Sequence, residues 1–327
     1  MNDMRSEPVP PPAPAAVQAL REGILGGVQA LCRVVVGKDP AVRRSVAAML
    51  AGGHLLIEDL PGVGKTTLAK GLSRIMGGTY QRIQGTNDLL PSDLVGVHLW
   101  DAHQQAFRFQ QGPVFANVLL LDELNRIGPK TQSALMEVLV EGQVSLDRAS
   151  YPLPDPFFAI ATQNPMDHAG TFPLPESQID RFACVLHLGY PDPAAERLVL
   201  RGEAGTERLE SLGPAMDLAG WRLARSLVHG VRLADASMAY LERVVERIRG
   251  DKGFCSTRAA GHWLALAKAE AWLDSRDFVT PDDLQATLED VMAHRGTLDG
   301  RRLNRDDRRE QLGRLLSEVP VGWTSQH

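Results

Sequence analysis

The residues of this chain best suited to chemistry lie in Glu58-Asp59-Leu60-Pro61-Gly62-Val63-Gly64-Lys65-Thr66-Thr67, directly after the apolar run His54-Leu55-Leu56-Ile57. The order predicts a strand, a glycine loop, and a helix beginning near Thr66. Gly62 and Gly64 permit positive φ, so that successive backbone N–H groups can turn inward around an anion. Lys65 is long enough to reach the β- and γ-phosphates of a nucleotide, and the Thr66 hydroxyl is placed to ligate Mg²⁺. The helix N-terminus behind the loop adds partial positive charge. One position departs from the pattern G-x-x-x-x-G-K-[ST]: Asp59 stands where the first glycine belongs. Taken alone, a glycine-rich turn that binds nothing reads the same way.

Three other strings change that balance. Leu119-Leu120-Leu121-Asp122-Glu123 puts two carboxylates at the end of an apolar strand, the edge where ligands bind in a parallel sheet. Asp122 suits a metal holder and Glu123 a general base for an attacking water. Thr162-Gln163-Asn164-Pro165 ends another apolar run. If the two strands are neighbours, Asn164 lies beside the acidic pair and can orient the water; in isolation, Asn-Pro is a turn signal. In Gln178-Ile179-Asp180-Arg181-Phe182, Arg181 is a candidate transition-state cation reaching a neighbouring subunit's nucleotide. The competing reading is a local ion pair with Asp180 or Glu176, and Arg126 is the rival finger.

The elements that must position these groups follow from periodicity. Helices are predicted over 17–33, 40–51, 66–76 and 130–141, strands over 80–84, 116–121 and 157–162, and a small hairpin within 98–113. Strands alternating with helices imply a mainly parallel sheet covered on both faces. After Pro193 only helical spacing remains, with Thr280-Pro281-Asp282-Asp283 as a capping box. The expected division is therefore a proline-rich tail over 1–16, an α/β core over 17–193 and a helical domain over 194–327.

Bulk properties narrow the function classes. The 327 residues are 44% hydrophobic and 23% charged, as in soluble globular proteins, with net charge -5. That balance argues against a nucleic-acid binder; the mixed segment Arg301 to Arg309 reads as a solvated helix start laced with ion pairs. Cys32, Cys184 and Cys255 are too dispersed for a metal cluster, which suggests buried thiols in a reducing compartment. Neither a signal peptide nor an apolar run of spanning length is apparent, so a cytoplasmic protein without direct membrane insertion is expected.

The chain resembles the MoxR family of AAA+ ATPases. The resemblance rests on Arg82-Ile83-Gln84, Asp88-Leu89-Leu90-Pro91-Ser92-Asp93, Gly112-Pro113-Val114-Phe115-Ala116-Asn117 and Asp122-Glu123-Leu124-Asn125-Arg126. It continues in Lys130-Thr131-Gln132-Ser133-Ala134-Leu135, Ala161-Thr162-Gln163-Asn164-Pro165, Leu174-Pro175-Glu176 and Asp180-Arg181-Phe182, spanning about Val36 to Arg295. It implies an αβα phosphate-loop NTPase core with a parallel sheet, followed by an all-α lid. It also implies ATP and Mg²⁺ as ligands, with Pro61, Gly62, Val63, Gly64, Lys65, Thr66 and Thr67 as the phosphate loop. Thr66 and Asp122 would hold the metal, Glu123 would be the base, Asn164 the first sensor and Arg181 the finger. Arg258, in Ser256-Thr257-Arg258-Ala259, would be a second sensor touching the γ-phosphate of its own subunit, and Val36 and Gly37 would line the adenine. Relatives commonly carry Ser-Pro-Arg at this point; Thr257 removes the proline and keeps the arginine. Ring assembly, as a hexamer, and client proteins with von Willebrand factor A domains are further implications. The alternatives are a nucleotide-gated scaffold with negligible turnover and a motor acting on nucleic acid.

Overall fold

Leu55 to Ile57, Val118 to Leu121 and Phe158 to Ala161 are buried at every residue, the mark of strands covered on both faces. In the computed structural model, which describes residues 12–146, 149–164, 170–250, 255–295, 297–298, 301–302 and 305–321, each run is a strand of one sheet. The first half of the chain runs α1 (Pro14–Cys32), α2 (Asp39–Leu50), β1 (Leu55–Glu58), α3 (Lys65–Met76), β2 (Tyr80–Gln84) and α4 (Pro91–Val95). A hairpin of β3 (Gly96–Asp101) and β4 (Ala106–Gln111) precedes β5 (Val118–Asp122) and α5 (Pro129–Glu141). A second hairpin, β6 (Gln143–Leu146) and β7 (Ala149–Pro152), leads to β8 (Phe158–Gln163), α6 (Glu176–Ile179) and β9 (Cys184–Leu186). The remainder is α7 (Pro193–Leu200), α8 (Leu218–His229), α9 (Asp235–Gly250), α10 (Thr257–Leu273), α11 (Pro281–Met292) and α12 (Arg305–Glu318).

The sheet is parallel throughout, in the order β2-β5-β8-β1-β9. Leu56 and Leu121 both pair with Ala161, so the C-terminal ends of β1, β8 and β5 lie side by side. Period-two alternation sends Leu55, Ile57, Val118 and Leu120 into one apolar cluster with α1, α2 and α3, and Leu56, Leu119 and Leu121 into another with α5. The helix after the loop stops where Gly77 adopts φ 70°, a conformation that glycine takes without strain.

Four features differ from expectation or were not anticipated. Pro14 to Ala16, expected in the tail, form the first turn of α1, where proline's missing N–H costs nothing; residues 1–11 lie outside the described residues. The β6–β7 hairpin and β9 had no forecast. The helical lid contains two short strand pairings, Arg232–Leu233 with Phe278–Val279 and Thr297–Leu298 with Arg301–Arg302. Finally, segments on both sides of Pro193 share a core: Ile24, Val46 and Leu55 join Trp221, Tyr240 and Trp263 in one cluster. Arg43 bonds Glu270 (2.8 Å) and Asp274 (2.6 Å), and Arg44 bonds Glu270 (2.5 Å) and Asp290 (2.6 Å), tying α2 to the lid helices α10 and α11. All three cysteines are free thiols, Cys184 and Cys255 buried and Cys32 half-buried.

A buried clasp joins the lid to the end of α6. Asp180 accepts from the Ser256 hydroxyl (2.9 and 3.0 Å) and from Arg295 Nε (3.0 Å). Arg295 also donates to the carbonyls of Asp180, Val291 and Phe182. Asp180 is 6% and Arg295 2% exposed, so Asp180→Ala leaves a guanidinium buried without its counter-charge. We expect a loss of about 3–5 kcal/mol of stability, read as a lowered midpoint in urea unfolding.

Candidate active site

The glycine loop folds as its residue types dictate. Gly62 and Gly64 take φ of 84° and 98°, and a Cβ built on either meets nothing within 4 Å. Both therefore face open space, as a cradle for phosphate requires. The loop borders a cleft of about 380 Å³ lined by Pro61, Gly62, Gly64, Lys65, Thr66, Thr67, Arg82, Gln84, Asp122, Glu123 and Asn164. Lys65 Nζ donates to the carbonyls of Asp59 (2.7 Å) and Leu60 (3.1 Å). Partial burial pulls its pKa below the ordinary lysine value, against the opposing pull of Asp122, Asp59 and Glu123. Asp59, the departure from the glycine pattern, is buried and structural: its carboxylate accepts from the backbone N–H of Leu60, Leu188 and Gly189. It ties the start of the loop to the segment after β9.

Parallel pairing of β5 with β8 brings the acidic pair beside Asn164. The Thr162 hydroxyl donates to Asp122 Oδ1 (2.7 Å) and accepts from the Glu123 N–H (2.9 Å), bracing the turn after β5. Glu123 sits at φ 55°, a left-handed conformation that costs a non-glycine residue energy and recurs at functional sites. Asp122 Oδ2 is held by Arg82 Nη2 at 2.5 Å, and Glu123 Oε2 by Gln84 Nε2 at 3.0 Å, with Arg126 Nη1 at 3.4 Å. Thr66 and Asp122 face one cleft, so the residues fit a hard divalent cation bound through oxygen. Arg126 thus lies at its own subunit's Glu123.

Arg181 and Arg258 lie elsewhere. They line a second cleft of about 230 Å³ with Gly53, His54, Ala183 and His262. Gly53 and Ala183 precede β1 and β9, so this cleft opens at the N-terminal edge of the sheet, while the glycine loop leaves the C-terminal edge. The length of β1, roughly 13 Å at about 3.3 Å per residue, separates them. Arg258 thus lies away from the loop cleft of its own subunit, because α10, which carries it, packs against α2. Val36 and Gly37 lie outside the lining of the loop cleft; Gly37 packs toward Ala195 and Asp192. Nor does Arg181 pair with Asp180, whose carboxylate the clasp occupies: Arg181 Nη1 donates to the Met136 carbonyl (2.9 Å) and its Nε is buried without a partner among the described residues. Burial, with Arg225 near His54 and Arg295 near His262, lowers both histidines to a pKa of about 4. At neutral pH the positive charge lining this cleft rests on the two arginines.

Comparison with known proteins agrees with this architecture. The profile of the "ATPase family associated with various cellular activities (AAA)" matches residues 54–184, and that of the "AAA lid domain" matches 253–315. "Chaperone MoxR1" of Mycobacterium tuberculosis is 37% identical over 80% of this chain and 72% of its own length. "Protein MoxR" of Methylorubrum extorquens is 31% identical over 81% of this chain and 84% of its own length. This chain belongs to the MoxR family of AAA+ ATPases. The crystal structure of a "putative ATPase" from Cytophaga hutchinsonii superposes on this MoxR-family chain with TM-score 0.85 at 32% identity, covering 94% of this chain and 98% of that one.

Within the MoxR-family core, three site residues stand in strings that carry the family resemblance but received no role from the sequence. Arg82, Gln84 and the Thr162 hydroxyl are polar groups on strands, and only the pairing of β2 with β5 and β5 with β8 brings them to the acidic pair. The register that sets Gln84 opposite Asp122, read together with the string Arg82-Ile83-Gln84, points to the first two.

Proposed function

We propose that this MoxR-family protein hydrolyses ATP with Mg²⁺, in a ring of its own copies, to drive maturation or assembly of partner proteins. The reading is carried by the convergence of Gly62, Gly64, Lys65, Thr66, Asp122, Glu123 and Asn164 on one cleft. Lys65 neutralises the β- and γ-phosphates, and the loop N–H groups hold the phosphate oxygens. Thr66 and Asp122 hold Mg²⁺, which when bound neutralises charge on those oxygens. Glu123, fixed by its braced turn, accepts the proton of the attacking water, and Asn164 orients that water.

The cation that completes the site comes from a neighbour. Arg181 and Arg258 share a cleft at the far sheet edge, where an adjacent protomer's nucleotide can meet both. The unpartnered Nε of Arg181 supports an anionic visitor there. By the chaperone name of a relative and by family resemblance, the clients are proteins, including those with von Willebrand factor A domains. We place the protein in the cytoplasm as a hexamer, with no nucleic-acid substrate, consistent with its net charge of -5. No helix among the described residues is long and apolar enough to cross a membrane.

The test is the rate of phosphate release per subunit as protein concentration rises with saturating Mg·ATP. The rate is expected to climb and then saturate as shared sites form. Absence of hydrolysis at every concentration, with or without client, would remove the enzymatic reading and leave a nucleotide-gated scaffold.

A further inference from the structure

With Arg258 at the opposite edge of the sheet, the loop cleft lacks the lid cation expected from its own subunit, yet a second cation does line it. Arg82, on β2, shares the cleft with Lys65, Thr66 and Asn164. Alternation along β2 explains the placement. Ile83 points into the α5-side core, so Arg82 and Gln84, either side of it, project from the opposite face, where α3 and its loop lie. Arg82 Nη2 makes two bonds, to Gln84 Oε1 (2.9 Å) and to Asp122 Oδ2 (2.5 Å). Its side chain remains 46% exposed, whereas that of Asp122 is only 14% exposed.

We propose that Arg82 is a catalytic cation of its own subunit: it neutralises Asp122 before nucleotide arrives and transfers to the terminal phosphate once Mg·ATP fills the cleft. Simple charge accounting supports the exchange. Asp122 is also the carboxylate proposed to hold Mg²⁺, and a dication there repels the guanidinium and competes with it for the same carboxylate charge. With Mg²⁺ held at Asp122 the guanidinium would be freed from that carboxylate, and a nucleotide in the same cleft would offer it new anionic oxygens. A guanidinium presents a planar fork of donors that matches phosphate geometry, and Arg82 has the exposure to swing without unfolding anything. Arg82 also bonds Gln84, which bonds Glu123, so its departure alters the hydrogen bonding of the base in the same movement.

The inference rests on the nucleotide reading of the loop cleft, and the experiment separates the two. Titration calorimetry of the whole protein with Mg·ADP and with a non-hydrolysable Mg·ATP analogue is run on wild type, Arg82→Ala and Arg82→Gln. Wild type is expected to prefer the triphosphate, and both variants to lose about tenfold of that preference while ADP affinity stays within about threefold. Turnover of the variants is expected to fall about 100-fold, the scale of removing one transition-state donor. If Arg82 only restrains Asp122, its loss would instead strengthen Mg²⁺ binding, leave the triphosphate preference intact and overturn the proposal. Failure of wild type to bind either nucleotide would overturn the nucleotide reading itself, and the role of Arg82 with it.

Discussion

Arg181→Ala is expected to lower ATP turnover by about 10³-fold or more while leaving nucleotide affinity within about threefold, since an arginine supplied by a neighbour typically contributes 10³–10⁵ to phosphoryl transfer. Arg181 lies an entire strand length from its own glycine loop, so its removal does not touch the cleft that binds nucleotide in the same chain. Its one hydrogen bond to the Met136 carbonyl is a minor loss to the fold. The decisive measurement mixes Arg181→Ala with Lys65→Ala protein. The first retains a phosphate loop and the second retains the arginine, so mixed rings regain part of the turnover that neither variant shows alone. A mixture as inactive as its components would move the trans cation to another residue.

Glu123→Gln is expected to bind ATP normally and to turn it over about 10³-fold more slowly, within the range general-base catalysis contributes. Glutamine keeps the shape and can still bond Gln84, so the braced turn through Thr162 survives. What disappears is the capacity to take a proton from water. Single-turnover assays should show ATP bound and uncleaved, with rings accumulating in the nucleotide-bound state. Hydrolysis at the wild-type rate would strike Glu123 from the mechanism.

The glycine loop and the acidic pair that line one cleft were legible because their residue types stand together at short range. Two glycines, a lysine and a threonine in contiguous order specify an anion cradle, and Asp122 and Glu123 end an all-apolar run. The position of Asn164 beside them needed one further inference, that β5 and β8 are neighbours, and the sheet has them so. Arg82 and Gln84 stood in a string that carries the family resemblance, but their contact with the acidic pair was not legible. Both look like ordinary polar positions on a half-exposed strand, and their meaning comes from the long-range register of β2 against β5. Arg258 lies away from the loop cleft for a different reason: its motif names an arginine at the start of a lid helix, but where that helix points depends on how the lid packs. Here Glu270, Asp274 and Asp290 pull the lid onto Arg43 and Arg44 of α2. The strand β9 escaped because Cys184-Val185-Leu186 is too short to show a period.

The contacts between α2 and the lid have a mechanical consequence. Arg43 and Arg44 each grip two lid carboxylates, and the apolar cluster beneath them continues without a break from α1 through β1 to α11. The Asp180 clasp fastens the same lid to the residue before Arg181. Among the described residues these contacts leave no evident soft joint between the two parts, and opening one would expose aromatic core around Trp221 and Trp263 to water. In a ring of the kind proposed above, the compliant elements would be the seams between copies and not a hinge within one.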